Sequence, residues 1–240
     1  MKAMLFAAGL GTRLKQETRE KPKSLVEIGG KTLLQHSIEK LDKEGISEIV
    51  VNVHHFSGLM KSFLSDHDFG VKVTVSDETD ELLETGGGLK KAAPLLESDE
   101  PVVLYNVDIL SNLNLKDVLE YHNKNNALAT LVVRDRQTQR YFKFNSQNRL
   151  AGWVNKKTGE TKVSIPCDFG DATSMAFSGI HVINPEILKL LPNEKRFSIT
   201  DWYLNLAQNH FIQGYFDTSS LWMDVGKPEQ LAEARKRFSK

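Results

Sequence analysis

The sequence predicts an α/β protein of the three-layer α/β/α class, with a mostly parallel mixed central sheet and a smaller β-rich half. Two patterns and the composition carry this reading. In the first half, short apolar runs alternate with amphipathic stretches, the mark of βαβ units. In the second half, short strand-like runs follow one another closely, one pair around a polar turn, as in antiparallel pairing. Of the 240 residues, 40% are hydrophobic and 26% charged, so the chain can build a full core without staples.

Residues 4–7 read as a buried first strand, and a long polar loop follows to about Ser24. Residues 32–44 carry Leu33, Leu34, Ser37, Ile38 and Leu41 at helical spacing, and Gly45 ends the helix. Strands are expected at residues 48–53, 71–75 and 102–107, with helices at 56–65 and 88–96; Pro94 lies near the end of the latter. The last of these strands stops at Asp108. Beyond it come strands at 129–133, 140–144, 149–154 and 177–183, with residues 156–173 as a loop or flap. Helices are expected at 185–191, 198–208 and 227–238, with Ser198 and Asp201 as cap and acidic partner, and with Leu231, Ala234 and Phe238 on one side. The plan is one domain over residues 1–240, a nucleotide-binding half over about 1–110 and a second half over about 111–240.

Bulk properties exclude several classes. Lys plus Arg number 31 and Asp plus Glu number 31, so no broad cationic surface for nucleic acid is expected. Cys167 is the only cysteine, which rules out an intrachain disulfide and suits a cytoplasmic home. The apolar start is too short for a signal segment, and no run is long enough to span a membrane.

The residues 7–14, Ala7-Ala8-Gly9-Leu10-Gly11-Thr12-Arg13-Leu14, follow the first strand directly. Glycines let backbone N–H groups approach an anion, and the carboxyl end of a parallel strand is where open α/β sheets bind ligands. Arg13 can pair two phosphate oxygens at once. The pattern lacks the third glycine of a dinucleotide fingerprint and the Gly-Lys-Ser/Thr of a P-loop. A tight turn without ligand is the alternative. Further along the loop, Pro22 stiffens the backbone ahead of Lys23, so this lysine can be aimed rather than merely solvated.

Two aspartates close short apolar runs, Asp108 after Asn106-Val107 and Asp224 after Trp222-Met223. Together they can hold one Mg²⁺, with phosphates and waters completing the octahedron; each alone also suits a turn or cap. Glu84-Thr85-Gly86-Gly87-Gly88 follows the third strand, and three glycines there suggest close backbone approach to a flat ligand, or simple slack. Adjacent His54 and His55 are expected on opposite faces of a strand, Cys167 in a flexible loop, and Trp202 and Trp222 as packing residues.

The runs Ala-Ala-Gly-Leu-Gly-Thr-Arg-Leu and Lys-Pro-Lys-Ser-Leu-Val-Glu-Ile-Gly-Gly-Lys-Thr-Leu-Leu resemble the signature of the sugar-phosphate nucleotidylyltransferase family. Asn106-Val107-Asp108 and Met223-Asp224-Val225-Gly226-Lys227-Pro228 resemble its two metal motifs, so the likeness spans nearly the whole chain. Ser24 and Thr32 stand where proline is usual, and Val107 where glycine is usual. The resemblance implies a Rossmann-like, GT-A-like nucleotide-diphospho-sugar transferase fold.

It also implies roles. Ala8, Gly9, Gly11, Thr12 and Arg13 would wrap the triphosphate, and Lys23 would stabilise charge at the α-phosphate. Glu84 and Gly87 would read the base. Tyr141 and Gly179, with Phe142 nearby, would take the sugar phosphate. Asp108 and Asp224 would hold Mg²⁺. The partners implied are an NTP and a sugar 1-phosphate, in a monomer or small homo-oligomer. Leu-Glu-Thr-Gly-Gly-Gly most resembles uridylyltransferases acting on N-acetylmuramic acid 1-phosphate, with mannose- or heptose-1-phosphate guanylyltransferases as close competitors. A cytidylyltransferase for a non-sugar phosphate and a non-catalytic nucleotide-binding module are further alternatives. The chain ends without a long C-terminal β-helix, which argues against an acetyltransferase activity.

Overall fold

The structure is a computed structural model, and it describes residues 1–238. In the first half the order is β1 (Lys2–Phe6), 3₁₀ turns at Thr12–Thr18 and Lys23–Leu25, β2 (Glu27–Ile28), β3 (Lys31–Thr32), α1 (Leu33–Lys43), β4 (Glu48–Val53), α2 (Ser57–Asp66), β5 (Lys72–Asp77), α3 (Glu84–Ala92), β6 (Val102–Asn106), β7 (Ile109–Ser111) and α4 (Leu115–Asn125). Then follow β8 (Ala129–Arg134), β9 (Arg140–Phe144), β10 (Leu150–Asn155), β11 (Thr161–Val163), α5 (Pro166–Phe169), β12 (Thr173–Ile183), α6 (Ile199–Leu206), β13 (Ile212–Phe216), β14 (Trp222–Asp224) and α7 (Pro228–Phe238).

The central strands β5, β4, β1 and β6 are parallel neighbours. The long strand β12 then pairs antiparallel with β6, β8 and β9, so one sheet of ten strands among the described residues crosses both halves. Strand alternation sorts side chains to its two faces. Ala3, Leu5, Val103 and Tyr105 join α1, α2 and α4 in one core, whereas Met4, Val102 and Leu104 join α3 and α6 in the other. This is the expected α/β class with a mixed sheet and helices on both faces.

A third, smaller core matters for function. Leu14, Val26, Ile28 and Leu33 pack with Leu110 of β7 and with Val225, Leu231 and Ala234 around α7. Burial of these side chains fixes the N-terminal loop against the C-terminal helix, at roughly 1.5–3 kcal/mol for each fully buried large aliphatic. The start of α1 is equally determined. Thr32 Oγ1 accepts from the Gln35 amide at 3.1 Å and Gln35 Oε1 accepts from the Thr32 amide at 2.8 Å, a reciprocal cap. A proline at this position would supply neither the hydroxyl nor the N–H.

Several expectations change. The polar loop holds a 3₁₀ turn at Thr12–Thr18, and a second, Lys23–Leu25, spans its end. The helix expected from Gly88 begins at Glu84 and takes in the glycine triplet. The expected flap over 156–173 holds β11 and α5, the latter carrying exposed Cys167. Ser198 makes no side-chain cap; the Ile199 amide donates instead to Thr85 Oγ1 at 3.1 Å, and Asp201 pairs with Lys162. His54 and His55 lie beyond the end of β4 rather than on it. Phe238 remains 40% exposed, so α7 buries Leu231 and Ala234 without it. Among the described residues no helix is long and apolar enough to cross a membrane.

Candidate active site

The carboxyl ends of β1, β4, β5 and β6 meet at one edge of the sheet, the place where parallel sheets leave a crevice. A cavity of about 210 Å³ opens there, lined by Phe6, Ala7, Ala8 and Gly9, by Asn52, Glu78, Leu82, Glu84 and Thr85, and by Lys23, Asn106, Val107 and Asp108.

Asn52 anchors the glycine loop. Its Oδ1 accepts from the Ala7 and Ala8 amides at 2.7 and 3.3 Å. The Ala8 N–H is therefore already engaged within the protein, although Ala8 borders the cavity. Gly9 differs: a β-carbon there would meet nothing within 4 Å, leaving its backbone approachable. Gly11 adopts a left-handed φ of 64°, and its carbonyl accepts from the Leu14 amide and Thr18 Oγ1, both at 3.0 Å. Thr12 and Arg13 open the 3₁₀ turn and are exposed. A β-carbon at Gly226 would fall 2.8 Å from an Arg13 guanidinium nitrogen and 2.7 Å from Asp224 Oδ1. The small residue thus lets Arg13 and Asp224 approach one another.

Lys23 is buried, and its ammonium donates to Asp108 Oδ2. Pro22, at φ −67°, precedes it, and the Leu25 and Val26 amides donate to the Pro22 and Lys23 carbonyls, so the lysine stands on a closed turn. The two aspartates come together through β-pairing. Asp224 is opposite Ile109 in the β7–β14 ribbon, and the Val225 amide donates to the Asp108 carbonyl at 2.9 Å. Asp224 Oδ1 also accepts from the Gly226 amide at 2.7 Å. Val107 is packed in the core at 5% exposure, where it still borders the cavity.

This donor set fits Mg²⁺. Two aspartates on adjoining backbone offer hard oxygens, and Mg²⁺ is commonly held by one or two carboxylates with phosphates and waters completing its shell. Among the described residues no group of three or more His, Cys, Asp or Glu forms a metal cage, so substrate oxygens would have to supply the remaining ligands.

The glycine triplet has another purpose than the one expected. A β-carbon at Gly86 would lie 2.3 Å from the Phe197 ring, and one at Gly87 would lie 2.1 Å from the Lys195 carbonyl oxygen. The Gly86 and Gly87 amides donate to the Phe197 carbonyl at 2.9 and 3.3 Å. The close approach is to the chain's own segment, and Gly87 is not among the residues lining the cavity. Glu84 does border the cavity, with a strained φ of 61°, but its carboxylate is exposed and paired with Arg196 Nε at 3.0 Å.

Gly179 sits at a register shift in β12, with φ 76°. A β-carbon there would be 2.9 Å from both Asn106 Nδ2 and Ile109 Cγ1, so this backbone closes directly on the Asp108 strand end. Tyr141 is nearly buried, its hydroxyl accepting from the Thr138 amide at 2.9 Å, and it is not part of the cavity lining. Phe142 belongs to the core.

The Nucleotidyl transferase family matches residues 2–240. The chain belongs to that family. A mannose-1-phosphate guanyltransferase of Yarrowia lipolytica is 31% identical over 95% of this chain, which spans only 61% of that relative's length. An N-acetylmuramate alpha-1-phosphate uridylyltransferase of Caulobacter vibrioides is 30% identical over 99% of this chain and 96% of its own. Among solved structures, HddC from Yersinia pseudotuberculosis superposes with a TM-score of 0.79 at 22% identity, covering 99% of both chains. The inositol-1-phosphate CTP transferase from T. maritima gives 0.78 at 18% identity, covering 100% of this chain and 96% of its own. These two show a shared fold.

Two arginines set over Trp222 were not marked by the sequence. Arg136 lies 4.5 Å and Arg134 5.5 Å from the Trp222 ring centroid, and the Trp222 indole donates to the Ser178 carbonyl at 2.8 Å. Trp222 is thus a platform for arginines, not only packing. Arg134 is engaged by Asp217 and the Ser220 carbonyl. Arg136 donates to the Phe177 carbonyl at 2.9 Å, while its buried Nε has no hydrogen-bond partner among the described residues. Burial lowers the Arg136 pKa, and the negative charge of Asp224 opposes that. The signal was present as Arg-Asp-Arg at the end of a strand, beside a tryptophan two residues before Asp224.

Proposed function

We propose that this chain transfers a nucleotidyl group from a nucleoside triphosphate to a sugar 1-phosphate and releases pyrophosphate, with Mg²⁺ held by Asp108 and Asp224. The observation that carries this is the junction of Lys23, Asp108, Asp224 and Arg13 beside a cavity walled by the glycine loop.

A phosphate monoester has a second pKa near ~6, so the sugar phosphate is already an anion at pH 7 and attacks the α-phosphorus without a general base. The pyrophosphate oxygen leaves as that new bond forms, and the protein's task is positioning and charge compensation. Gly9 offers open backbone beside the phosphates. Lys23, standing on its closed turn, offsets charge at the α-phosphate, and Arg13 offsets it on the leaving pyrophosphate. Arg136, with a spare buried donor near Asp224, suits the sugar phosphate. Bound Mg²⁺ would supply Lewis-acid charge neutralisation between the two anions.

For substrates, UTP with N-acetylmuramic acid 1-phosphate is the first choice, supported by a relative whose length this chain nearly matches. GTP with mannose 1-phosphate or a related sugar is the second, supported by the guanyltransferase at similar identity. Pyrophosphate release measured over a panel of triphosphates and sugar 1-phosphates decides between them. Release with none of the pairs would overturn the reading.

A further inference from the structure

Two buried polar side chains hold the glycine loop from behind. Asn52, near the end of β4, is paired with Phe6 in the β1–β4 register, just before the loop begins. Its Oδ1 accepts from the Ala7 and Ala8 amides, and its Nδ2 donates to Glu78 Oε1 at 2.7 Å. Glu78, just after β5, is itself pinned. Its amide donates to the Val53 carbonyl at 2.7 Å, and its carbonyl meets His54 Nδ1 at 2.6 Å. α3 leaves room for the pair: a β-carbon at Gly88 would fall 2.8 Å from Glu78 Oε1 and 3.0 Å from Asn52 Nδ2.

An amide serves both sides of this arrangement, and a carboxylate does not. The two backbone N–H groups need an acceptor, whereas the Glu78 carboxylate needs a donor. A flipped Asn52 would set its NH₂ against two N–H groups and its oxygen against a carboxylate oxygen. Glu78 therefore dictates which way the amide is turned. With the Ala7 and Ala8 N–H groups drawn to Asn52, Gly9 follows with its backbone open at the cavity.

We infer that Asn52, oriented by Glu78, is a positioning residue that holds the glycine loop where it receives the triphosphate. This rests on the nucleotidyl-transfer reading and adds to it. Asn52 acts through the loop backbone rather than on the reacting atoms.

The test reverses the polarity of the pair. In Asn52→Asp, one carboxylate oxygen still accepts from Ala7 and Ala8, but the other faces Glu78. Two carboxylates so placed must share a proton, and that proton is lost as pH rises. In the double variant Asn52→Asp/Glu78→Gln, the new glutamine amide donates to the new carboxylate. The pair is then rebuilt with roles exchanged and its total charge unchanged. Other charges bear on this site: Lys91 and Glu84 on α3, His54 beyond β4, and Lys23 and Asp108 at the cavity. All are common to the proteins compared, so they cancel in ratios taken at one pH.

The experiment measures kcat/KM for the triphosphate, by pyrophosphate release with the best substrate pair, at pH 6.5 and 8.5. Asn52→Asp is compared with the natural protein, and the double variant with Glu78→Gln, so any separate effect of losing the Glu78 carboxylate also cancels. Asn52→Asp should lose roughly 10- to 100-fold at pH 8.5 and regain much of it at pH 6.5. The double variant should stay near its reference at both pH values. In Asn52→Ala, amide hydrogen exchange over residues 5–14 should be faster than in the natural protein at pH 7.5. A loss in Asn52→Asp that does not move with pH, an equal loss in both backgrounds, or unchanged exchange in Asn52→Ala would overturn the assignment. A natural protein inactive with every substrate pair would overturn the transferase reading, and the exchange measurement would still decide whether Asn52 holds the loop.

Discussion

Lys23 donates its ammonium to the carboxylate of Asp108 across a sequence separation of 85 residues, and both groups are largely shielded from water. The pair joins the N-terminal loop to the end of β6, so the glycine loop and the carboxylate proposed to hold Mg²⁺ are set by one interaction. Charge is compensated before any ligand arrives. An isolated cation or anion in this position would be penalised by desolvation.

Lys23→Ala should lower kcat/KM by roughly 100-fold or more, from loss of charge offset at the reacting phosphate. It should also reduce stability by about 1–3 kcal/mol, because Asp108 loses its counter-charge. A stability defect without a rate defect would contradict the assigned role. Asp108→Asn and Asp224→Asn should each lower turnover by orders of magnitude, with far-UV circular dichroism unchanged. Near-normal turnover of either variant at limiting Mg²⁺ would remove it from the metal site.

The sequence made the parallel half legible because its strands are buried on both faces, as in residues 49–53, and its helices carry clean apolar stripes. Asp108 and Asp224 were readable as strand-end carboxylates, and the β7–β14 register sets Asp224 opposite Ile109, the residue after Asp108. The packing of the glycine triplet was not legible, because glycine signals close approach without saying to what. Here the partner is the backbone of residues 195–197, distant in sequence. Arg136 and Trp222 escaped notice because a cation and a ring form a site only once folding stacks them. Glu78 lies in the polar run Asp77-Glu78-Thr79-Asp80-Glu81, where nothing marks the one carboxylate that becomes buried.

Gly87→Ala distinguishes packing from ligand contact. Its added methyl would meet the Lys195 carbonyl, a backbone atom that cannot swing away. The expected cost is about 1–3 kcal/mol, or a Tm drop of about 2–4 °C per kcal/mol for a chain of this size. Well below its Tm the variant should keep its nucleotide KM. A large KM rise with unchanged Tm would restore Gly87 as a base contact.

Arg136→Ala should raise the KM for sugar 1-phosphate by roughly 10- to 100-fold and leave the KM for the triphosphate nearly unchanged. Arg136→Lys should recover only part of the loss, since an ammonium cannot reproduce the planar stack on Trp222. Initial rates over both substrate concentrations check this. An equal rise in both KM values would place Arg136 outside the sugar-phosphate end.

Acid stability should depend on two buried histidines. His181 shares a hydrogen bond with the Tyr203 hydroxyl at 2.8 Å, and burial depresses its pKa to about 3. His122 contacts Thr130 Oγ1 at 2.8 Å, and burial depresses its pKa to about 4. Each is neutral when folded but takes up a proton near pH 6.5 when unfolded. The unfolded chain therefore binds more protons below pH 6.5, and stability falls as pH drops from there toward the folded pKa values. At pH 5 each histidine should have withdrawn about 2 kcal/mol. Urea denaturation at pH 7.5 and pH 5 measures the difference. His181→Phe should be less stable at pH 7.5, because the Tyr203 hydroxyl loses its partner, yet lose about 2 kcal/mol less than the natural protein between the two pH values. An identical loss in both proteins would show that His181 is not held neutral by the fold.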